Sequence, residues 1–305
     1  MHSKENSAKK IITSYKKKLS NKNFQVTEPE QKQYHFEITV SDGLQKIKVL
    51  VYFGKKGNKT ILQGNVDTKV YEQVNEIIFG EKFLGQDTQS FEEPENYIGT
   101  DESGKGDYFG PLVISGVYVN ETTKKELKKL GVKDSKIINE NNIKSLSFEI
   151  IKIVKNNFNI ILISPAKYNE LYKKFGNLNR LLGWAHAKVI ENILDRQHAD
   201  EVISDKFADE SVIRNSLQKK GQNILLHQFT KAEKYTAVAA ASILARNKFN
   251  EWFEIQNKNL GFILPKGASS KVEDAAIKIK KEHGEEMFGS LVKLHFKTTK
   301  KITTN

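Results

Sequence analysis

The chain has 305 residues, 38% of them hydrophobic and 10% aromatic, which is enough for a buried core in about two domains of ordinary size. It has no Cys, which excludes disulfides, thiolate zinc sites and cysteine nucleophiles; with no run of roughly 18 apolar residues and no apolar core in the opening MHSKENSAKK, it reads as a soluble cytoplasmic protein with no membrane span. The 49 Lys and Arg against 37 Asp and Glu give a net charge of +12, which fits either an anionic partner, nucleic acid first, or a lysine-rich surface.

The charge is uneven along the chain. Residues 1–60 hold 13 Lys and 5 acids, whereas residues 61–96 hold 2 Lys and 8 acids. Ala8 to Leu19 suits a short basic helix. Tyr34 to Val40 and Lys46 to Phe53 alternate apolar with polar residues, as half-buried strands do, and Ser41-Asp42-Gly43 between them is a hairpin turn. A third strand is predicted near Thr60 to Gln63 and a helix over Thr68 to Ile78. Gly85 to Asn96 is polar, acidic and carries Pro94, so it reads as a linker. The predicted organisation is a basic α+β module over residues 1–84, an acidic linker over 85–95 and a larger domain over 96–305.

Past the linker, a strand starts near Tyr97 and another covers Leu112 to Val119. Lys124 to Leu130 reads as a helix and Phe158 to Ser164 as a buried strand. Asn179 to Gln197 has apolar residues at 182, 185, 189, 190 and 193, the spacing of one helical face. His186 lies on that face, so it reads as a structural histidine. Val202 to Ser204 is a short strand ending in Asp205, Gln222 to His227 is another strand, and Glu233 to Phe253 is a long helix. Strands alternating with helices predict an α/β domain with its sheet covered on both faces. Leu291 to Asn305, with four Lys and no acid, reads as a loose basic tail.

The segment YIGTDESGKGDYFGPLVISGVYV, Tyr97 to Val119, concentrates the chemistry. A strand delivers Asp101 and Glu102 into the turn Ser103-Gly104-Lys105-Gly106. Carboxylates held by sheet backbone make rigid ligands for a hard divalent cation. The glycines let backbone N–H groups approach a phosphate or hydroxyl, and Lys105 adds positive charge. Gly99 to Gly106 also fits the P-loop pattern except at its last position. There Gly106 lacks the hydroxyl that a P-loop puts on magnesium, and Asp101 and Glu102 would repel phosphates, so no nucleotide cofactor is predicted.

The run DESGKGDYFGPL resembles ribonuclease HIII, a type 2 ribonuclease H. Asp134-Ser135-Lys136, GNLNRLLGWAH (Gly176 to His186), Ile203-Ser204-Asp205 and Lys231-Ala232-Glu233 before AVAAASILAR add to the likeness. Lys105 and Glu233 stand where the sister family, ribonuclease HII, usually has Arg and Asp. The resemblance implies an α/β ribonuclease H-like catalytic domain, a mixed central sheet flanked by helices, preceded by a small α+β domain similar to the TATA-binding-protein fold. It implies that Asp101, Glu102, Asp205 and Glu233 hold two Mg2+ or Mn2+ ions. In that reading, Asp205 ends a strand and Glu233 starts a helix, where the macrodipole favours an anion.

By the same resemblance, the backbone of Gly104, Lys105 and Gly106 would read the 2′-hydroxyl of RNA, with Ser103 a further substrate-binding residue and Ser135 and Lys136 near the substrate path. The implied activity is hydrolysis of the RNA strand of an RNA–DNA hybrid, leaving 3′-hydroxyl and 5′-phosphate ends, with the basic first module gripping the duplex. Nothing in the sequence demands more than a monomer. A ribonuclease HII-like junction-cutting enzyme and a noncatalytic nucleic-acid binder on the same fold are the rival readings.

Overall fold

A computed structural model of the chain describes residues 2–54, 57–65, 68–79, 91–132 and 138–303. The chain forms two compact units, Met1–Glu92 and Glu93–Asn305. Residues 80–90, most of the acidic linker, and 133–137, with Ser135 and Lys136, lie outside the described residues.

In the first unit, α1 (His2–Ser20) is followed by the two-residue strands β1 (Gln25–Val26) and β2 (Glu30–Gln31), then β3 (His35–Ser41), β4 (Lys46–Gly54), β5 (Gly57–Gln63) and α2 (Lys69–Phe79). The antiparallel sheet runs β1-β3-β4-β5, with β2 also on β3. Phe36, Ile38 and Val40 of β3 are buried in alternation with His35, Glu37 and Thr39, so one face meets the core. Ala8, Ile12 and Leu19 of α1 and Val70, Val74 and Ile78 of α2 close that core. In the β3–β4 turn, the Asp42 carboxylate accepts from the backbone N–H of Leu44 and Gln45 at 3.0 and 2.8 Å, and Gly43 supplies φ +96°.

The second unit contains β6 (Tyr97–Ser103), β7 (Leu112–Val119), α3 (Glu121–Lys129), α4 (Glu140–Val154), β8 (Phe158–Ile163), α5 (Pro165–Phe175), α6 (Leu178–Leu194), β9 (Glu201–Asp205), the single turn α7 (Ser211–Arg214), β10 (Leu225–Phe229), α8 (Thr236–Leu260), α9 (Ser270–Leu291) and α10 (Lys297–Thr303). Its sheet has the order β10-β9-β6-β7-β8. β10, β9 and β6 are parallel, and β7 and β8 run antiparallel to their neighbours. α6 covers one face through Leu182, Val189, Ile190 and Ile193. On the other face, Phe249 and Phe253 of α8 pack with Tyr108, Phe109 and Val113 and with residues of α9.

Several details differ from the sequence reading. The long helix begins at Thr236, not Glu233, because Lys231 is in the left-handed region (φ 58°) and Ala232–Lys234 form a separate 3₁₀ turn. The strand read over Gln222 to His227 begins three residues later and ends two later, at Leu225–Phe229. The supposed loose tail is packed: Val292 and Lys293 are fully buried, Ile302 joins the core beside α8 and α9, and Lys297–Thr303 is helical.

Glu93, within the segment read as a linker, is built into the second unit. It accepts from the Tyr97 hydroxyl at 2.5 Å and from the Thr236 backbone N–H at 2.7 Å, while Lys128 pairs with its other oxygen at 2.7 Å. The Tyr97 hydroxyl in turn accepts from the Ala237 N–H at 2.9 Å. Glu93 and Tyr97 thus satisfy N–H groups that α8 leaves open at its first turn. Burial works against the ionised form of Glu93, yet hydrogen bonds from Lys128, Tyr97 and Thr236 hold its carboxyl below the usual glutamate value.

Candidate active site

The period of two along β6 sends neighbouring side chains to opposite faces of the sheet. Ile98 joins the core under α6, and a Cβ on Gly99 would run into Ala237 and Val238 of α8. Thr100 lies 3.0 Å from His186 Nδ1 on α6, while Asp101 receives a hydrogen bond from Ser242 on α8. Glu102 returns to the α6 face, its Oε2 lying 3.3 Å from His186 Nε2.

The parallel register Thr100↔Ser204 sets Asp205, one residue on, beside Asp101 across adjacent strands, which run about 4.8 Å apart. Asp205 is fixed by the N–H of Ala232, which donates to its Oδ1 at 3.0 Å. Asp101, Glu102 and Asp205 line one pocket of ≈ 360 Å³ together with Ser103, Lys105, Ser242 and Arg246. Glu233 is buried in the 3₁₀ turn next to Ala232 but does not line this pocket. Among the described residues, no three Asp, Glu or His side chains converge into a ready-made metal cage.

The three carboxylates are not equivalent. Burial, with the charges of Glu102 and Asp205 behind it, pushes the Asp101 carboxyl well above the usual aspartate value, against hydrogen bonds from Ser242 and the Glu102 N–H. Burial would also raise Glu102, but His186 and then Lys105 hold it below the usual glutamate value. Lys105 Nζ sits 3.3 Å from Glu102 Oε1 and 5.5 Å from the centre of the Phe207 ring.

The turn after Glu102 is shaped by close contacts. Gly104 has φ +86°, and a Cβ there would lie 2.2 Å from the Pro111 carbonyl and 2.7 Å from Phe249. Gly106 has open space on its Cβ side. The turn therefore presents Lys105 and a backbone edge to the rim of the pocket. Ser242 and Arg246, one turn apart on α8, also line the pocket and were not singled out from the sequence. An Arg at the end of an Ala-rich helical run carries no local signal of the distant strand end it will face.

The second unit has the sheet, helices and carboxylate-lined strand end of a type 2 ribonuclease H, and the family model for ribonuclease HII matches residues 98–299. A ribonuclease HIII of Protochlamydia amoebophila is 45% identical over 202 residues, 66% of either chain. That of Chlamydia muridarum is 35% identical over 292 residues, 94% of this chain and 92% of the relative. The crystal structure of Bst-RNase HIII in complex with Mn2+ matches with a TM-score of 0.65 at 26% identity, covering 92% of both chains.

The chain belongs to the ribonuclease HIII family. Its fold is the α/β ribonuclease H-like domain preceded by the small α+β domain of the TATA-binding-protein kind, and it is an enzyme of the ribonuclease H class. Among the described residues, no helix is long and apolar enough to cross a membrane.

Proposed function

We propose that the chain is an endonuclease that hydrolyses the RNA strand of RNA–DNA hybrids with two divalent cations, leaving 3′-hydroxyl and 5′-phosphate ends. The observation that carries this reading is the meeting of Asp101, Glu102 and Asp205 in one pocket at the end of β6 and β9. The donor set is all oxygen, which suits Mg2+ or Mn2+. The raised pKa of Asp101 reflects burial first and then the negative charges of Glu102 and Asp205, both of which a bound cation would offset. When bound, two such ions supply positive charge to the attacking water and to the leaving oxygen of a phosphodiester.

In this reading Asp101 is the central ligand, with Glu102 and Asp205 beside it. Glu233 would be the fourth ligand: it belongs to the turn whose Ala232 N–H fixes Asp205, although its side chain does not line the pocket here. Ser103 and the backbone of Gly104, Lys105 and Gly106 would meet the RNA strand at the rim, where the open side of Gly106 favours close approach to a 2′-hydroxyl. Ser135 and Lys136 are assigned to the substrate path, and residues 1–84, joined through 85–95, to gripping the hybrid without sequence preference. Each phosphate so neutralised contributes roughly 0.9 to the salt slope of log affinity.

The test is a strand-labelled hybrid assay with and without Mg2+ or Mn2+, run beside Asp101→Asn. Cation-dependent cuts in the RNA strand alone, lost in the variant while hybrid binding persists, are the expected result; binding without any cut product would favour a noncatalytic binder. A duplex with a single embedded ribonucleotide separates the HII-like alternative, which predicts ready incision at the RNA–DNA junction.

A further inference from the structure

The Glu102 carboxylate divides between two neighbours. Oε1 faces Lys105 Nζ at 3.3 Å, on a side chain about one-third exposed, whereas Oε2 faces His186 Nε2 at 3.3 Å on a fully buried imidazole. Oε2 and Nε2 are both buried without a well-formed hydrogen bond among the described residues, and the nearest polar approach of either is their mutual 3.3 Å contact. The other ring nitrogen, Nδ1, lies 3.0 Å from the Thr100 hydroxyl, and the ring stacks on Phe207 with centroids 4.9 Å apart and planes 24° apart. The imidazole is therefore held by Thr100 and by the Phe207 ring, and its remaining nitrogen lies 3.3 Å from a single carboxylate oxygen.

We propose that His186 is a positioning residue: tethered by Thr100, it holds Oε2 of Glu102 and so leaves Oε1 directed to the cation pocket. Thr100 and Glu102 are two residues apart on β6, on the α6 side, so one histidine on α6 can touch both. A threonine hydroxyl that donates to Nδ1 leaves the proton on Nε2, where Glu102 can accept it. Outer partners of this kind set the tautomer and aim of ligating groups, and their loss typically weakens metal binding roughly 10–100-fold. The inference rests on the reading of Glu102 as a cation ligand.

The test is Mn2+ titration of the full-length protein by calorimetry without nucleic acid, with melting temperature measured alongside. His186→Leu should bind Mn2+ about 10–100-fold more weakly, and His186→Gln, whose amide can still donate to Glu102, should recover to within about threefold of the parent. Thr100→Val keeps the imidazole and removes only its tether, so it should weaken Mn2+ about threefold or more even if the leucine variant does not fold. Parental affinity in a folded His186→Leu, equal losses in the Leu and Gln variants, or parental affinity in Thr100→Val would each overturn the proposal. If the parent itself takes up no Mn2+, or Glu102→Gln leaves its affinity unchanged, the cation reading of Glu102 fails instead.

Discussion

Replacing Gly99 by Ala tests whether the active-site end of β6 is set by direct backbone contact with α8. The added Cβ would stand 2.3 Å from Val238 N, 2.4 Å from Ala237 C and 2.7 Å from Ala237 Cβ. Carbon contacts are comfortable only from about 3.5 Å, so α8 and β6 must separate by about 1 Å, and backbone atoms have no rotamer with which to yield. Overpacking of this kind costs about 1–3 kcal/mol. For a unit of this size that lowers the melting temperature by roughly 2–4 °C per kcal/mol.

The catalytic effect should exceed the loss of stability. Ser242, which donates to Asp101, moves with α8, and a misplacement of about 1 Å can cost about 100-fold in turnover. Scanning fluorimetry and turnover at saturating hybrid are the assays. Gly106→Ala, whose Cβ meets nothing within 4 Å, is the control and should melt with the parent. A Gly99→Ala variant with parental melting temperature and turnover would refute the argument that this contact places the site.

The remaining perturbations act on charge and on the Lys105 turn. Because the Asp101 carboxyl is raised in the folded state, ionising it costs stability as pH rises from the ordinary aspartate range through the folded value. With chelator present near neutral pH, Asp101→Asn should therefore raise the melting temperature while abolishing cleavage; a lower melting temperature would contradict that account. For the same reason Mn2+ affinity should decline on acidification before an ordinary aspartate would titrate, which calorimetry across a pH series measures. Lys293 is fully buried, with Nζ donating to the Asp107 carbonyl at 2.8 Å, and burial, opposed by Asp107, lowers it to about 7 from 10.5. Between those values the unfolded chain holds the proton and the folded one does not, so this group's contribution to stability rises with pH across that window. Lys293→Met should thus gain most on the parent below about pH 7 and lose that advantage toward pH 10.5, read as melting temperature against pH. Gly104→Ala, strained at φ +86° and driven onto the Pro111 carbonyl, should weaken hybrid binding, whereas Gly106→Ala should keep its fold.

Much of the scaffold is legible locally. Leu112–Val119 is a strand with the bounds its apolar run suggests, and the β3–β4 hairpin follows from alternation around Asp42-Gly43. The features that escape are those that depend on distant partners. Acidity and Pro94 make Glu93 look like linker, but its carboxylate meets the first turn of a helix 143 residues away. Counting Lys in the last fifteen residues hides Val292 and Ile302, whose burial ties that segment to the unit. Helical spacing announces that His186 is buried without revealing that its inner nitrogen reaches Glu102.

The most instructive case is the pair Asp101 and Glu102. Adjacent in sequence, they read as a joint pair of ligands, and the pocket does contain both. Strand geometry nevertheless separates them at the backbone. Asp101 leans to α8, where burial and the charge of Glu102, with a smaller push from Asp205, raise it against a hydrogen bond from Ser242; Glu102 leans to α6, where His186 and then Lys105 outweigh burial and lower it. The two carboxyls are consequently driven in opposite directions from their ordinary pKa values. The dipeptide supplies the chemistry, but the division of labour within it is written in two helices, one beginning 76 residues after Glu102 at Leu178 and the other still later at Thr236. An isolated strand end with the same two acids would keep the mutual charge of Asp101 and Glu102, but it would have neither the burial and the nearby Asp205 that raise Asp101 further nor the histidine beside Glu102.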